Sequence, residues 1–489
     1  MPDGLEVTLG WVLALLQLGV WLMLVAASVH LLRSARWARG KRLDGALLSL
    51  PVGELPVVTV QLPLRNERHV AERVLRATCA LDWPRDRLEV QVLDDSDDET
   101  CALVDRTAAE LRAFGHDITV VRRQGRAGYK AGALANALRT ARGSFVAILD
   151  ADCVPPPDFL QRLVAPLLRD EQLAFTQARW SFDNEAESLL TRVQALILHG
   201  LFLVEQPRLS ASGAPLQFNG TSGVWRRAAL ERAGGWLGAG DGASASVTED
   251  LDLSYRVQLA GLRGRILPEV AVRTELPSTM AAFRTQQQRW VRGGGEVLRA
   301  LFRRLLSGTG PAGERLTMLA HLLRHARQPL LVLLTLWLPA TTLGLLTPAF
   351  TIPYAWPLVL GLVHVALISY YGAALTRLGR SWLSALSLAP VLVALSLGLS
   401  PALSAALLGG LFSGGRPAEF VRTPKAGDAA LSTYRPRRRL PLFEIIVGLT
   451  YLALALFAAT HAAFPTAAAL LAFPAFGYLW VGFSSAFDA

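Results

Sequence analysis

Cysteine is scarce in this chain, with Cys79, Cys101 and Cys153 the only three among 489 residues. None falls at a metal-ligand spacing, so a zinc site is not expected and the three read as reduced cytosolic thiols. Charge is scarce as well: 18% of residues are charged, against roughly 25% in soluble domains. No Gly-x-Gly-x-x-Gly follows the first strand-like run and no Walker-type loop occurs, which removes support for a dinucleotide Rossmann site or a P-loop. His321 and His325 stand four apart, a helix-face spacing, but without an acidic companion, and a structural role is expected. Acids are outnumbered 39 to 49 by Lys and Arg, for a net charge of +10. Such a surplus can mark nucleic-acid binding. Here the bases sit beside apolar runs, as in Arg33, Arg36, Arg39, Lys41 and Arg42, and in Arg435, Arg437, Arg438 and Arg439. That is the pattern of the positive-inside rule, and no nucleic-acid partner is expected.

What is abundant is apolar sequence, 52% of residues, unevenly spread. Residues 7–31, most of 328–414 and 441–487 are almost uncharged, whereas 50–310 has ordinary soluble composition. The division predicted is an N-terminal transmembrane helix (1–32), a soluble domain (50–310), an amphipathic basic interfacial helix (311–327), transmembrane helices (328–413), a basic loop (414–440) and further transmembrane helices (441–489). Residues 7–31 exceed the roughly 20 needed to span a bilayer and lack a cleavage site, so they read as an anchor. Residues 382–413 are long for one span and are read as a hairpin of two short helices turning near Ser400-Pro401, for about seven spans in all. Basic flanks place the soluble domain and the 414–440 loop in the cytoplasm, beneath a plasma (inner) membrane whose lipids contact the spans.

Within the soluble domain, Val57–Leu62, Leu88–Leu93, Ile118–Val121, Ser144–Leu149 and Leu173–Gln177 read as strands separated by helical patterns. The alternation predicts an α/β fold with a mostly parallel sheet and helices on both faces. The fourth run, SFVAILDAD, ends in Asp150 and Asp152. Both lie at the C-terminal end of a strand, where such sheets bind ligands, and side chains two apart can converge. Two hard oxygen ligands suit Mg²⁺ or Mn²⁺ carrying a donor's phosphates, though a solvated turn explains the pair equally well. Asp94 and Asp95 end the second strand and can hydrogen-bond a base or ribose, yet acidic loops are common. Lys130, in Gly128-Tyr129-Lys130-Ala131-Gly132, can approach phosphate. In Thr248-Glu249-Asp250-Leu251-Asp252, Asp250 and Asp252 precede a helical pattern: they are either acids favoured by the helix dipole or supply a general base. Gln286, Arg289 and Trp290 combine a cationic fork with an aromatic face, suited to diphosphate and sugar or to a membrane boundary.

The order Asp-Asp-Ser, Lys-Ala-Gly, Asp-Ala-Asp, Thr-Glu-Asp, Gln-Gln-Gln-Arg-Trp inside apolar spans resembles the processive family 2 glycosyltransferases, which include cellulose, chitin, hyaluronan and mannan synthases. The stretches FNGTSGVWRRAALERAGGW (218–236) and ELPSTMAAFRTQQQRW (275–290) look like the plant cellulose-synthase-like mannan and glucomannan synthases. Phe420-Val421-Arg422-Thr423-Pro424-Lys425 is similar to the gating loop of bacterial cellulose synthase, with Arg422 in place of the family's valine. The resemblance implies a GT-A-type domain. It implies Asp94, Asp95, Lys130, Asp150, Gln286 and Arg289 on the donor nucleotide and a metal at Asp150 and Asp152. It implies Asp250 as base with Glu249 and Thr248, and Phe218, Asn219, Gly220 and Trp290 on the acceptor. Phe420, Thr423 and Lys425 would cover the nucleotide. The expected partners are GDP-mannose or UDP-glucose, a growing β-glycan and membrane lipids, with an oligomer or accessory subunit possible. The expected activity is polymerisation and export of a β-linked polysaccharide. The alternative is a single transfer to a lipid, as in ceramide glucosyltransferase.

Overall fold

A computed structural model describes residues 4–41, 43, 50, 55–237, 248–308, 310–343, 355–413, 441–461 and 467–488. Its centre is a seven-stranded sheet: β1 (Val58–Leu64), β2 (Leu88–Asp94), β3 (Asp117–Val121), β4 (Phe145–Ile148), β5 (Leu173–Phe182), β6 (Gly223–Arg226) and β7 (Arg263–Thr274), in the order β3-β2-β1-β4-β6-β5-β7. β1 through β4 pair in parallel, and β5 pairs in parallel with β7. β6 runs antiparallel to both its neighbours, β4 and β5.

The unbroken apolar run of β4 follows from burial on both faces. Phe145, Ala147 and Leu149 enter one core with Val70, Val74, Val104 and Leu163, from the helices Arg68–Cys79, Thr100–Ala113 and Phe159–Arg169. Val146 and Ile148 enter the other with Leu134, Trp225, Leu253 and Val257, under the helices Tyr129–Leu138 and Glu249–Leu259. β6 and β7 escape a reading by hydrophobic pattern. β6 is four residues long, and β7 carries charges, Pro268 and a register shift where it pairs with β5.

Among the described residues, five helices are long and apolar enough to cross a membrane: Gln17–Ala38, Leu358–Arg377, Leu383–Leu411, Leu442–Thr460 and Ala467–Phe487. Another helix, Arg327–Thr342, begins where a span was expected. The expected hairpin near Ser400-Pro401 is absent, because Leu383–Leu411 is one continuous helix with Pro390 and Pro401 inside it. Pro401 has no N–H for the carbonyl of Leu397 one turn back. The Ser400 hydroxyl donates to that carbonyl at 2.7 Å, so the backbone stays satisfied and the helix continues. Small residues let this helix approach its neighbours closely: a Cβ on Gly398 would lie 2.3 Å from the Gly477 carbonyl oxygen, and one on Gly410 would lie 2.2 Å from that of Arg292.

Arg292 belongs to Met280–Ser307, a long helix that joins the sheet domain to the apolar helices. The two parts also meet where Glu185, after β5, accepts from Arg380 at 2.5 Å and pairs with His199 at 3.2 Å. His321 is bonded to the buried Tyr255 hydroxyl at 2.5 Å, and His325 packs against Gly294.

Ser400→Ala is expected to cost about 1–3 kcal/mol, the penalty for an unsatisfied buried acceptor. Pro401→Ala restores a backbone donor, so the same Ser400→Ala change should cost much less in that background. Apparent melting midpoints of the four proteins in detergent measure the difference.

Candidate functional site

A cavity of about 1040 Å³ opens at the C-terminal ends of β1 and β4 and runs toward the apolar helices. Its first part is built by β6. Because Ile148 pairs antiparallel with Gly223, the loop entering β6 lies beside the residues leaving β4. The Thr221 hydroxyl accepts the Asp150 N–H at 2.8 Å, and the Ser222 N–H donates to the Ile148 carbonyl at 2.8 Å. Gly220 adopts φ +80°, and a Cβ there would stand 2.9 Å from an Asp250 carboxylate oxygen. A glycine at 220 therefore supplies both a left-handed turn and room for Asp250.

Lys130 closes the group: its ammonium donates to Asp150 Oδ1 at 2.5 Å and to the Gly220 carbonyl at 2.9 Å. Burial alone would favour the neutral amine, but the carboxylates of Asp150, Glu249 and Asp250 outweigh it and hold the Lys130 pKa above its ordinary value. Burial raises Glu249, against the pull of Lys130. Burial, then the charge of Glu249, pushes Asp250 up to about 7, with Lys130 opposing. A carboxyl poised there can exchange a proton at neutral pH, as a general base must.

The two acids ending β2 part company. Asp95 lines the cavity and is gripped by Arg123, whose Nε and Nη2 donate to its two oxygens at 2.9 and 2.6 Å. Asp94 does not reach the cavity. Its side chain is fully buried, bonded to Arg122 Nε at 2.9 Å and to the Ser96 N–H at 3.1 Å. The expected donor contact from Asp94 is thus replaced by a structural one, because successive residues of an extended chain point to opposite faces. Arg65 lines the cavity and bonds both the Asp95 carbonyl and Asp97, tying the loops after β1 and β2 together.

Thr248, Glu249 and Asp250 line the cavity, and Thr248 packs against Gly293 of the helix Met280–Ser307. Gln286, Arg289 and Trp290 of that helix line it too, sharing a face at i, i+3 and i+4. Phe218 borders the cavity, but it is 1% exposed and packs against Phe175 and Trp225, with ring centroids 5.5 and 5.0 Å away. Phe218 thus belongs to both the cavity wall and the core, with its ring held by the aromatic packing. The Asn219 amide is held by Gln177, Gln206 and Gln217, so it shapes the loop that presents Gly220. Phe420, Thr423 and Lys425 lie outside the described residues. Pattern reading missed Arg65, Arg123, Tyr129, Glu205, Arg324 and Tyr370, of which all but Arg123 line the cavity. The partners of Arg65, Arg123 and Tyr370 are remote in sequence, which a local pattern does not show.

Asp150 and Asp152 offer hard oxygens at one strand end. Asp152 Oδ2 accepts the Thr274 hydroxyl at 3.0 Å, and Lys130 stands against Asp150 where a cation is favoured. Among the described residues no three His, Cys, Asp or Glu side chains gather as a cage. Two carboxylates with the rest of the shell from water and phosphate is a normal Mg²⁺ or Mn²⁺ arrangement, so the residues fit such an ion.

A family model described as "Glycosyltransferase like family 2" matches residues 56–293. The chain is 34% identical over 409 residues to glucomannan 4-beta-mannosyltransferase 7 of Arabidopsis thaliana, covering 80% of this chain and 70% of that protein. It is 44% identical over 248 residues to probable glucomannan 4-beta-mannosyltransferase 3 of Oryza sativa subsp. japonica, covering 50% and 44%. The chain spans about half the length of most curated relatives it matches. Among solved structures, the mannosyltransferase PcManGT of Pyrobaculum calidifontis, in complex with GDP-Man and Mn²⁺, superposes with a TM-score of 0.56 at 23% identity, over 82% of this chain and 99% of that one. That likeness shows a shared fold.

Asp250 should titrate near pH 7. Lys130 lowers the Asp250 pKa, so Lys130→Met should raise it further. Difference infrared spectroscopy of the protonated carboxyl band across pH 5–9, with Asp250→Asn to assign the band, reads both values. Loss of the band at ordinary carboxylate pH in the wild type would contradict the geometry.

Proposed function

The chain belongs to the cellulose-synthase-like family 2 glycosyltransferases, and on that premise we propose that it transfers mannose from GDP-mannose to the end of a growing β-linked mannan. One observation carries the reading: Asp250, the Asp150–Lys130 pair and the Gln286–Arg289–Trp290 face line a single cavity. The mannan relatives support the sugar and the complex of PcManGT supports the nucleotide. UDP-glucose is the other donor to be tested.

In this reading Asp95 and its arginines hold the nucleoside end of the donor, and Lys130 and Arg289 balance diphosphate charge. Asp150 and Asp152 would hold a divalent ion, whose chemistry is to stabilise the departing diphosphate. Trp290 stacks on the terminal sugar of the acceptor. Asp250 takes the proton from the attacking hydroxyl as the new bond forms, and a single displacement converts an α-linked donor into a β-linked product. The base sits near neutrality, so transfer should rise as pH climbs through about 7 and the carboxyl loses its proton.

The cavity continues past Trp290 to Leu31, Tyr370 and Tyr371 on apolar helices. This supports a path by which the polymer leaves between the spans, with the sheet domain cytoplasmic at the plasma (inner) membrane. The same apolar wall would also admit a lipid acceptor, and that is the second reading.

Membranes carrying the protein should convert GDP-mannose into a long, mannanase-sensitive polymer, and chelation of divalent ions should stop the reaction. Asp250→Asn should lower turnover by roughly 10²–10⁴, the contribution typical of a general base. Product size decides between the readings: a single-sugar glycolipid would replace polymerisation with lipid transfer. Polymer found only outside sealed inverted vesicles would count against export.

A further inference from the structure

Two carboxylates from the last apolar helices reach the start of the helix that carries Trp290. Glu444, on Leu442–Thr460, is 3% exposed, and its Oε1 accepts from Arg284 Nη2 at 2.6 Å. Asp488, just beyond Ala467–Phe487, accepts the Met280 N–H at 2.6 Å, one of the donors a helix start leaves unpaired. A buried acid beside an apolar helix is costly unless it is paired, and ionisable groups in such places mark function. An acid favoured by the positive end of its own helix is the plain alternative. An exposed side chain would serve the dipole equally well, so burial against Arg284 needs another reason.

The helix geometry supplies one. At about 100° per residue, Gln286, Arg289 and Trp290 lie roughly 200°, 140° and 240° around the helix from Arg284. The three face the cavity, and Arg284 points from the opposite side to Glu444. The ion pair therefore lies on the side away from the cavity, where it can resist a roll of the helix, and Asp488 bonds its first turn. The rest of the helix is seated by close backbone packing of Gly410 on Arg292.

We propose that Glu444 and Arg284 form a positioning pair, fixing the cavity-facing setting of Arg289 and Trp290 and hence the binding of the acceptor end. The proposal rests on the reading of Trp290 as an acceptor residue. Glu444 touches neither substrate in this reading and acts through the helix alone.

The test compares wild type, Glu444→Gln and the reversed pair Glu444→Arg with Arg284→Glu, using GDP-mannose and a soluble β-mannan oligosaccharide. Glu444→Gln is expected to raise the KM for the oligosaccharide about tenfold while leaving the KM for GDP-mannose within twofold. The reversed pair should recover much of the loss. Backbone hydrogen exchange over residues 280–291 should quicken in Glu444→Gln and return toward wild type in the reversed pair. Exchange needs no substrate, so a protein that proves to use another donor refutes the functional reading while this measurement still judges the pair. Unchanged exchange, or faster exchange with an unchanged oligosaccharide KM, overturns the proposal. Should Glu444→Gln fail to accumulate, Arg284→Gln carries the same expectations.

Discussion

Position 220 has no side chain, and the charged cluster depends on that. Lys130 donates to the Gly220 carbonyl, Asp150 receives the same ammonium, and Asp250 occupies the space a Cβ at 220 would need. The electrostatics then follow from proximity. Two acids are raised, Glu249 by burial and the charge of Asp150, Asp250 by burial and the charge of Glu249, and one half-buried lysine is kept charged by the acids round it. Gly220 is delivered there by the short antiparallel strand β6, which interrupts an otherwise parallel half-sheet. The Gln177, Gln206, Gln217 and Asn219 amides lock the approach to that strand. Two buried amides, Gln177 and Gln206, and two half-buried ones, Gln217 and Asn219, bond to one another and specify a single loop conformation, because another arrangement would leave buried amides unpaired.

The helix Met280–Ser307 carries the effect outward. One side receives Thr248 against Gly293 and presents Trp290 to the cavity. Other sides meet the long helix Leu383–Leu411 and the carboxylates of Glu444 and Asp488. Glycines at 293, 294 and 295 let three partners approach this helix closely: Thr248, His325 and the Leu407 carbonyl. A helix so loaded with glycine gives up intrinsic stability. Packing on several sides replaces it, so the setting of Trp290 depends on elements hundreds of residues away.

Much of the sheet was legible from apolar residues: β4 reads as an unbroken hydrophobic stretch, and β1 and β2 keep an apolar residue at every other position around Thr59, Gln61, Glu89 and Gln91. The strand-end position of Asp150 and Asp152 followed from the same pattern. β6 and β7 were not legible: their residues mix charge and small side chains, and their pairing is set by partners far along the chain. Asp94 and Phe218 show the same limit within the site. Motif order placed both on substrate, but it did not show that strand alternation turns Asp94 to Arg122 or that the Phe218 ring at the cavity wall is packed against Trp225. The supposed hairpin at Pro401 failed for a local reason, a neighbouring hydroxyl that supplies the missing hydrogen bond.

The sequence by itself determined the class of chemistry, because the ordered acids, the lysine and the Gln-x-x-Arg-Trp run are matters of residue type and order. It also determined which stretches are apolar enough for a membrane, since hydropathy is a local sum. Tertiary structure alone decided which acids share a cavity, which are spent on arginines, and what holds the tryptophan helix in place. Those outcomes depend on distances between segments remote in the chain, and charge interactions change steeply with distance and burial.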